Sequence, residues 1–218
     1  MLRSLVGSEM CIRDRYLTLS LNLLASAQTT TTPDEILIKQ LLAEDLGTRT
    51  FPFSTVVKAA SGKDIIPFNP SKKSHLTIRQ IIQTEIAKTI KTLNLPTSPT
   101  KKLRRINEAS RYFEDSLLES INAHPDFTCS IPKNTKEKEQ RSGYPDLLII
   151  HLPTKTHAYL DPKLYEQTSK KSSLRTFYFE PRTRTLKIQH TALHLLIGIA
   201  HDGKDGCLLY TSPSPRDS

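Results

Sequence analysis

The sequence predicts a mixed α/β fold with a helical N-terminal region. Apolar residues recur at helical spacing in the first half of the chain, whereas the second half carries short apolar runs rich in residues that favour strands. The composition agrees with a globular chain, because 37% of the 218 residues are hydrophobic and 24% are charged. A chain of this length can bury a sizeable core, but it is short for two large domains.

Composition and charge exclude several classes of protein. No apolar run reaches the ~20 residues that a membrane-spanning helix needs, so we expect no membrane partner and a cytoplasmic location. The 7 Gly, 14 Pro and 3 Cys fit neither a collagen-like chain nor a disulfide scaffold. The 31 Lys and Arg outnumber the 22 Asp and Glu and give a net charge of +9, which favours a polyanionic partner, with nucleic acid first.

The two ends of the chain, residues 1–15 and 207–218, resemble translated sequencing adapters rather than protein. When the segment that begins at Cys207 is back-translated, its reverse complement in a shifted frame spells the segment that begins at Leu5. We therefore interpret both ends as artefacts and exclude them from the fold prediction. Cys129 then remains as the single cysteine, which removes a disulfide or a cysteine-rich metal site.

Residues 16–28 allow two interpretations. An apolar run is followed by Ala25-Ser26-Ala27, which imitates a signal-peptide cleavage site. The basic residues that would complete such a signal, Arg13 and Arg15, lie in the adapter-like end. A fragment of a first helix is therefore the favoured interpretation, with a signal-like segment as the alternative.

The region 16–100 is predicted to be mainly helical. Proline followed by two acidic residues begins the first helix, and glycine ends it. Isoleucines at spacings of three and four define a second, amphipathic helix, which prolines terminate. The predicted elements are a helix at 33–47, a short apolar segment at 51–60, an extended piece at 64–67 and the amphipathic helix at 76–93.

The region 101–206 is predicted to form the α/β core. Its order is a helix, three strands, a further strand, a short helix and a final strand, and a charged loop at 133–143 joins the first two strands. The predicted helices span 105–123 and 186–192, and the predicted strands span 127–131, 144–152, 158–164, 174–179 and 193–200.

Two of the predicted strands carry a group of charged residues. Asp146 follows Pro145 and opens an apolar strand, and Asp161 and Lys163 lie in the next strand. The spacing fits an antiparallel hairpin with a turn near 154–156, which would bring Asp146 alongside Asp161. The two-residue period of a strand places Asp161 and Lys163 on the same face. Because Pro162 lacks an N–H, we expect a bulge or an edge at that point.

This group has the composition of a metal site in an enzyme that cleaves phosphodiesters. Hard cations such as Mg²⁺ take oxygen ligands and commonly bind through one or two carboxylates together with a substrate phosphate. Lys163 can orient or deprotonate the attacking water, or neutralise the developing negative charge. The alternative for Asp146 and Asp161 is solvation at a turn and a strand edge, since Asp-Pro commonly begins turns.

The pattern Pro145-Asp146 and Asp161-Pro162-Lys163, preceded by a helix, resembles the PD-(D/E)XK nuclease superfamily and its restriction-endonuclease-like members. The resemblance covers about 104–201 and implies a core of one helix, three or four strands, a helix and a strand. In that superfamily an aromatic-Glu-x-x-apolar phrase on the helix supplies a further acid. Phe113 to Leu117 matches this phrase and assigns Glu114, with Glu108 and Glu119 as weaker candidates.

The resemblance also implies roles for the residues. Asp146 and Asp161 would bridge or share Mg²⁺, with Mn²⁺ also possible, Glu114 would support the metal or its water, and Lys163 would activate the water. The implied function is a Mg²⁺-dependent DNA endonuclease of restriction type, acting as a homodimer. Two alternatives remain, a repair or junction-resolving nuclease of the same fold and a non-catalytic nucleic-acid-binding protein.

Basic clusters flank the proposed site in the sequence and would contact DNA phosphates. Each cluster alone is usually a solvated face, but several around one acidic group would supply the contacts that dominate DNA affinity. The clusters lie at 101–105, 133–141, 170–171 and 182–184.

Overall fold

The structure, a computed structural model, describes residues 32–44, 50–103, 108–166, 179, 182–201, 208–209 and 214–215. The chain forms two compact units, Met1–Arg49 and Thr50–Ser218. The adapter-like segment 1–15, the segment 16–28 and all but one residue of the predicted strand 174–179 lie outside the described residues.

Helix α1, Pro33–Ala43, belongs to the first unit. The Thr32 hydroxyl accepts a hydrogen bond from the Glu35 amide at 3.2 Å, and the Glu35 carboxylate accepts one from the Thr32 amide at 2.9 Å. This reciprocal capping, with Pro33 in the first turn, explains why the helix begins at the predicted residue. The helix ends earlier than predicted, because the backbone of Glu44 is extended.

The second unit begins with two helices, α2 (Phe53–Ser61) and α3 (Lys73–Leu93). The short apolar segment predicted at 51–60 corresponds to α2, which ends where Gly62 takes a left-handed φ of 70°. Helix α3 confirms the predicted amphipathic helix, and its isoleucines at four-residue spacing are fully or almost fully buried. These are Ile78, Ile82, Ile86 and Ile90.

The second half of the chain supplies helix α4 (Ala109–Asn122) and a mixed sheet. Helix α4 buries one face and corresponds to the predicted helix at 105–123, of which residues 105–107 lie outside the described residues. The strands are β1 (Phe127–Ser130), β2 (Leu147–His151), β3 (Thr156–Glu166), β4 (Leu193–His201) and the two-residue strands β5 (Leu208–Leu209) and β6 (Ser214–Pro215).

The sheet has the order β1-β2-β3-β4. The pairs β1/β2 and β2/β3 are antiparallel, whereas β3 and β4 run parallel. Strands β5 and β6 both pair antiparallel with β4. N-terminal helices followed by a mixed sheet packed against helices confirm the predicted α/β class.

The helix predicted at 186–192 is wrong. Residues 186–190 are irregular, and Ala192 forms a parallel bridge with Ile65, in the piece that was predicted to be extended. The Tyr159 hydroxyl accepts hydrogen bonds from the amides of Gln189 at 2.8 Å and His190 at 3.1 Å. These amides bind a side chain of the sheet, and three consecutive residues, Leu186 to Ile188, are buried. One face of a surface helix cannot bury three consecutive residues.

The two faces of the sheet contribute to two different apolar clusters. Ile149 and Leu160 pack with helices α3 and α4 in the larger cluster. Leu148 and Tyr159, their neighbours in the strands, pack in a smaller cluster that includes Val57 of α2. The alternation follows from the pleat, which sends successive side chains to opposite faces. Both faces are therefore covered, which fits the continuous apolar sequences of β2 and β4.

Two expectations from composition concern the membrane and the cysteines. No helix in the described part of the chain is long and apolar enough to cross a lipid bilayer.

Cys129 lies buried in β1 with a free thiol. Burial raises the pKa of this thiol to about 12, so it is protonated and inert at neutral pH.

Candidate active site

The hairpin of β2 and β3 brings the two predicted aspartates together. Leu147 pairs with Leu160, and the amide of Asp146 donates to the Leu160 carbonyl at 3.2 Å. A short 3-10 helix, Leu152–Thr154, and the left-handed residue Lys155 connect the strands at the predicted turn. Asp146 therefore lies beside the backbone position that precedes Asp161.

Lys163 joins the two carboxylates. Its Nζ donates to Asp161 Oδ1 at 2.9 Å and to Asp146 Oδ2 at 3.3 Å. The carboxylates of Asp161 and Asp146 outweigh the effect of burial, which favours the neutral amine, and raise the pKa of Lys163. The structure thus places Asp161 and Lys163 on one face of β3, together with Asp146, as the sequence predicts.

Pro162 occupies a part of β3 where its missing N–H costs little. Strand β2 pairs with β3 only as far as Leu160, whereas β4 continues to pair with β3 past Pro162. On the side of β2, Pro162 is therefore beyond the last partner residue, which is the edge position that the sequence predicts.

Asp161 is buried and only partly hydrogen-bonded. The residue is 1% exposed, and its Oδ2 atom has no hydrogen-bond partner among the described residues. Burial raises the pKa of this carboxyl above its ordinary value, while the ammonium of Lys163 opposes the shift. A buried carboxylate oxygen without a partner costs free energy, so it marks a position where a ligand would be stabilising.

Glu114 reaches the same group of charges from helix α4. Its side chain is 14% exposed, and Arg141 Nη1 lies 3.7 Å from Glu114 Oε2. Burial and the negative charge of Asp146 raise the pKa of Glu114 to about 7, although Arg141 and Lys163 oppose the shift. The weaker candidates differ, because Glu108 precedes the helix and Glu119 lies on it, and both are exposed.

The donor atoms fit a hard divalent cation. Asp146 and Asp161 offer carboxylate oxygens, one of them the unpartnered Oδ2 of Asp161, and Mg²⁺ commonly binds through two carboxylates plus substrate oxygens. In the described part of the chain, no group of three or more His, Cys, Asp or Glu side chains is arranged to hold a metal ion. The fit therefore rests on the two aspartates.

Two further cations lie next to the predicted acids: Arg141, which the sequence places only in the basic cluster 133–141, and Lys187, which the sequence does not single out. Arg141 lies in the loop predicted to be solvated, yet it forms ion pairs with Glu114 and, at 2.5 Å, with Asp115. Lys187 is 1% exposed and donates to the Gln140 carbonyl at 3.0 Å. Burial lowers the pKa of Lys187 to about 8, although the nearby carboxylates of Asp146, Asp161 and Glu114 act to raise it. The sequence does carry one sign that Lys187 is buried: it lies between two apolar residues, Leu186 and Ile188, shortly before the apolar strand β4.

The predicted basic clusters are only partly described. Lys101, Lys136, Lys138, Arg182 and Arg184 are exposed, whereas residues 104–105 and 170–171 lie outside the described residues. The exposed members agree with the surface role that the sequence predicts for them.

Fold and site together define a class: an α/β protein with two carboxylates and a lysine gathered on one hairpin of a mixed sheet. Residues 46–214 match the family model of the type II restriction enzyme MjaV family. The chain therefore belongs to the type II restriction enzyme MjaV family. The matched range ends inside the segment 207–218 that resembles an adapter.

A curated relative and the solved structures complete the comparison. The chain is 29% identical over 155 residues to the type II restriction enzyme MjaV of Methanocaldococcus jannaschii, an alignment that covers 66% of this chain and 66% of that protein. The chain thus spans about two thirds of the length of this relative. No solved structure matches the chain at a significant level.

Proposed function

We propose that this chain is a type II restriction endonuclease that hydrolyses DNA phosphodiester bonds with Mg²⁺, or with Mn²⁺ in its place. Membership of the MjaV family supports the substrate and the reaction. The observation that carries the proposal is the hairpin cluster, in which Lys163 contacts both Asp146 and Asp161 and one oxygen of Asp161 is buried without a partner. The same cluster supports assignment to the PD-(D/E)XK superfamily.

The proposed roles follow from the position and charge of each residue. Asp146 and Asp161 would hold the cation, which supplies charge stabilisation to the phosphate oxygens when bound. Lys163 contacts both carboxylates, and its side chain is 49% exposed, so its ammonium can orient the attacking water or neutralise the negative charge that develops on the phosphate. Glu114, whose pKa is raised to about 7, can exchange a proton with that water near neutral pH.

The proposal extends to a homodimer. An enzyme that cuts both strands of a duplex with one site per chain needs two chains, and isologous pairing matches the symmetry of a palindromic DNA site. The molar mass of the protein in solution, by light scattering with and without DNA, tests this part.

Cleavage of plasmid DNA tests the proposed function. We expect the purified protein with Mg²⁺ to give discrete fragments and to give none with a chelator. Asp146→Asn, Asp161→Asn and Lys163→Ala should each lower the cleavage rate at least about 100-fold, because each removes a group proposed to act at the reacting phosphate. The rate of fragment formation on a gel is the measurement.

A second Pro-Asp dipeptide provides a matched control. Asp126 also follows a proline, but it is exposed at the turn before β1, so Asp126→Asn should cleave like the original protein. Nicking or cleavage of branched DNA alone would indicate the repair or junction-resolving alternative. DNA binding without cleavage of any substrate by a folded, metal-supplied protein would overturn the proposal in favour of a binding protein.

A further inference from the structure

Lys187 connects two segments of the chain next to the acidic cluster. It lies between Leu186 and Ile188, which are both buried in the smaller apolar cluster. Its ammonium donates to the backbone carbonyl of Gln140 at 3.0 Å, in the loop 133–143. A buried ammonium is costly unless it is hydrogen-bonded or paired, so this contact constrains the loop as well as the lysine.

The same segment holds the other end of the loop. Gln189 Nε2 donates to the carbonyls of Lys133 at 3.1 Å and Asn134 at 2.9 Å. Lys187 and Gln189 are two residues apart, and they bind the loop near its last and its first residues. Within the loop, Asn134 Nδ2 donates to the Gln140 side chain at 3.0 Å and links these two attachment points.

The residue after Gln140 is Arg141, which contacts the acids of α4. Its guanidinium lies 3.7 Å from Glu114 and 2.5 Å from Asp115. The position of the Arg141 backbone depends on Gln140, and the Gln140 carbonyl is held by Lys187. A chain of direct contacts therefore leads from Lys187 to the loop and from the loop to Glu114.

We propose that Lys187 is a positioning residue of the site, whose hydrogen bond to the Gln140 carbonyl fixes the loop 133–143 so that Arg141 meets Glu114. Its effect on cleavage rests on the proposed function, whereas its effect on the loop does not. Lys187 is buried and would not contact DNA, so it acts through the loop.

Hydrogen exchange of the metal-free full chain tests the proposal without DNA. In Lys187→Met, which keeps the length and removes the donor, we expect the amides of the loop 133–143 to exchange about tenfold faster, the factor that a hydrogen bond to a charged group supplies. Peptides from α3 and α4 should keep their protection. Lys187→Arg restores a charged donor, and it should restore loop protection.

Ile188→Ala is the control for a merely structural effect. It removes apolar contacts from the adjacent residue of the same cluster, so it should accelerate exchange throughout the unit rather than in the loop alone. If Lys187→Met does not fold, Lys187→Gln replaces it, because the shorter amide does not reach the Gln140 carbonyl and should release the loop in the same way. Unchanged loop exchange, or equal acceleration everywhere, would overturn the proposal.

Cleavage separates this inference from the proposed function. With Mg²⁺ and a DNA that the original protein cuts, Lys187→Met should cut about tenfold more slowly, and Lys187→Arg should recover the rate. If the original protein cuts no DNA, the proposed function fails while the exchange result still decides the role of Lys187. Normal cleavage by Lys187→Met with a released loop would overturn its role at the site.

Discussion

At the scale of single residues, Asp161 combines a poor environment for folding with a good one for binding a cation. Its carboxylate is buried, and one oxygen has no partner among the described residues. Such groups lower stability and persist at functional sites, where removing them often stabilises a protein.

Asp161→Asn should therefore raise stability while it abolishes cleavage. The neutral amide removes the cost of a buried charge and still offers an oxygen to Lys163. We expect a gain of about 1 kcal/mol in the free energy of unfolding, which is about 2–4 °C in Tm for a unit of this size. Thermal unfolding of the metal-free protein at neutral pH measures it, with the exposed Asp126→Asn as control. A large fall in Tm would show that the Lys163 contact outweighs the burial cost.

Glu114 should make stability depend on pH. Its pKa rises from 4.5 to about 7 on folding, so between these values the folded protein binds a proton that the unfolded chain has released. The free energy of unfolding therefore falls as pH increases through that window, and the contribution is greatest below pH 4.5.

Thermal unfolding of the metal-free protein between about pH 5 and about pH 7.5 measures this contribution. Glu114→Gln cannot titrate, so its Tm should fall less over the window than that of the original protein. Glu119→Gln changes an exposed acid of the same helix and should follow the original profile. Parallel profiles for all three proteins would contradict the assignment.

The predictable part of the site is the part encoded by local sequence. Asp146, Asp161 and Lys163 lie on one hairpin, so strand period and spacing suffice to group them. Arg141 and Lys187 reach the site from a loop and from the segment before β4, and neither has a spacing rule that connects it to the hairpin. Tertiary contact, which local pattern does not contain, places these two cations.

At the scale of elements, the hairpin turn contains a residue under local strain. Lys155 has a φ of 51°, in the left-handed region that favours glycine. Lys155→Gly should raise the free energy of unfolding by about 0.5–1 kcal/mol, because relief of the steric cost exceeds the extra entropy of the unfolded glycine. Chemical denaturation measures this gain.

Lys136→Gly provides the comparison for this prediction. It changes an exposed loop lysine that is not among the described residues with positive φ. The substitution should therefore not raise the free energy of unfolding. Equal effects of the two substitutions would contradict a role for the left-handed turn.

The length of the repeating pattern decides how well each helix can be predicted from the sequence. Helix α3 repeats its isoleucines from Ile78 to Ile90, over more than about three turns, and its prediction is confirmed, whereas the wrong helix at 186–192 has only seven residues. In that short stretch the Tyr159 hydroxyl binds two backbone amides and holds the chain in an irregular path. A tertiary hydrogen bond thus decides the conformation where the local pattern is short.

At the scale of the whole molecule, the described core of the sheet lies away from the two ends of the sequence. Among the residues that the structure describes, the buried apolar ones lie between Val57 and Ala200. Of the segment 207–218, the structure describes only the two-residue strands β5 and β6, which pair with β4.

A chain of residues 16–206 should therefore fold with a Tm within about 2 °C of the full chain, a change below about 1 kcal/mol. Thermal unfolding and circular dichroism of the shortened chain check this, with a chain of residues 16–218 to separate the effects of the two ends. A shortened chain that unfolds or aggregates would show that the pairing at the edge of β4 is required, and would contradict an artefactual origin of that end.

The connection between β2 and β3 has a consequence for sequence change. Surface loops usually accept inserted or deleted residues, and the tip at 152–155 is such a loop. If one residue gained or lost there shifted the register of β3 against β2 by one, Asp161 and Lys163 would move to the opposite side of the sheet, while Asp146 would stay where it is. Under the proposed function, the length of this tip therefore matters as much as the acids themselves, because a change of register would abolish cleavage without replacing Asp146, Asp161 or Lys163.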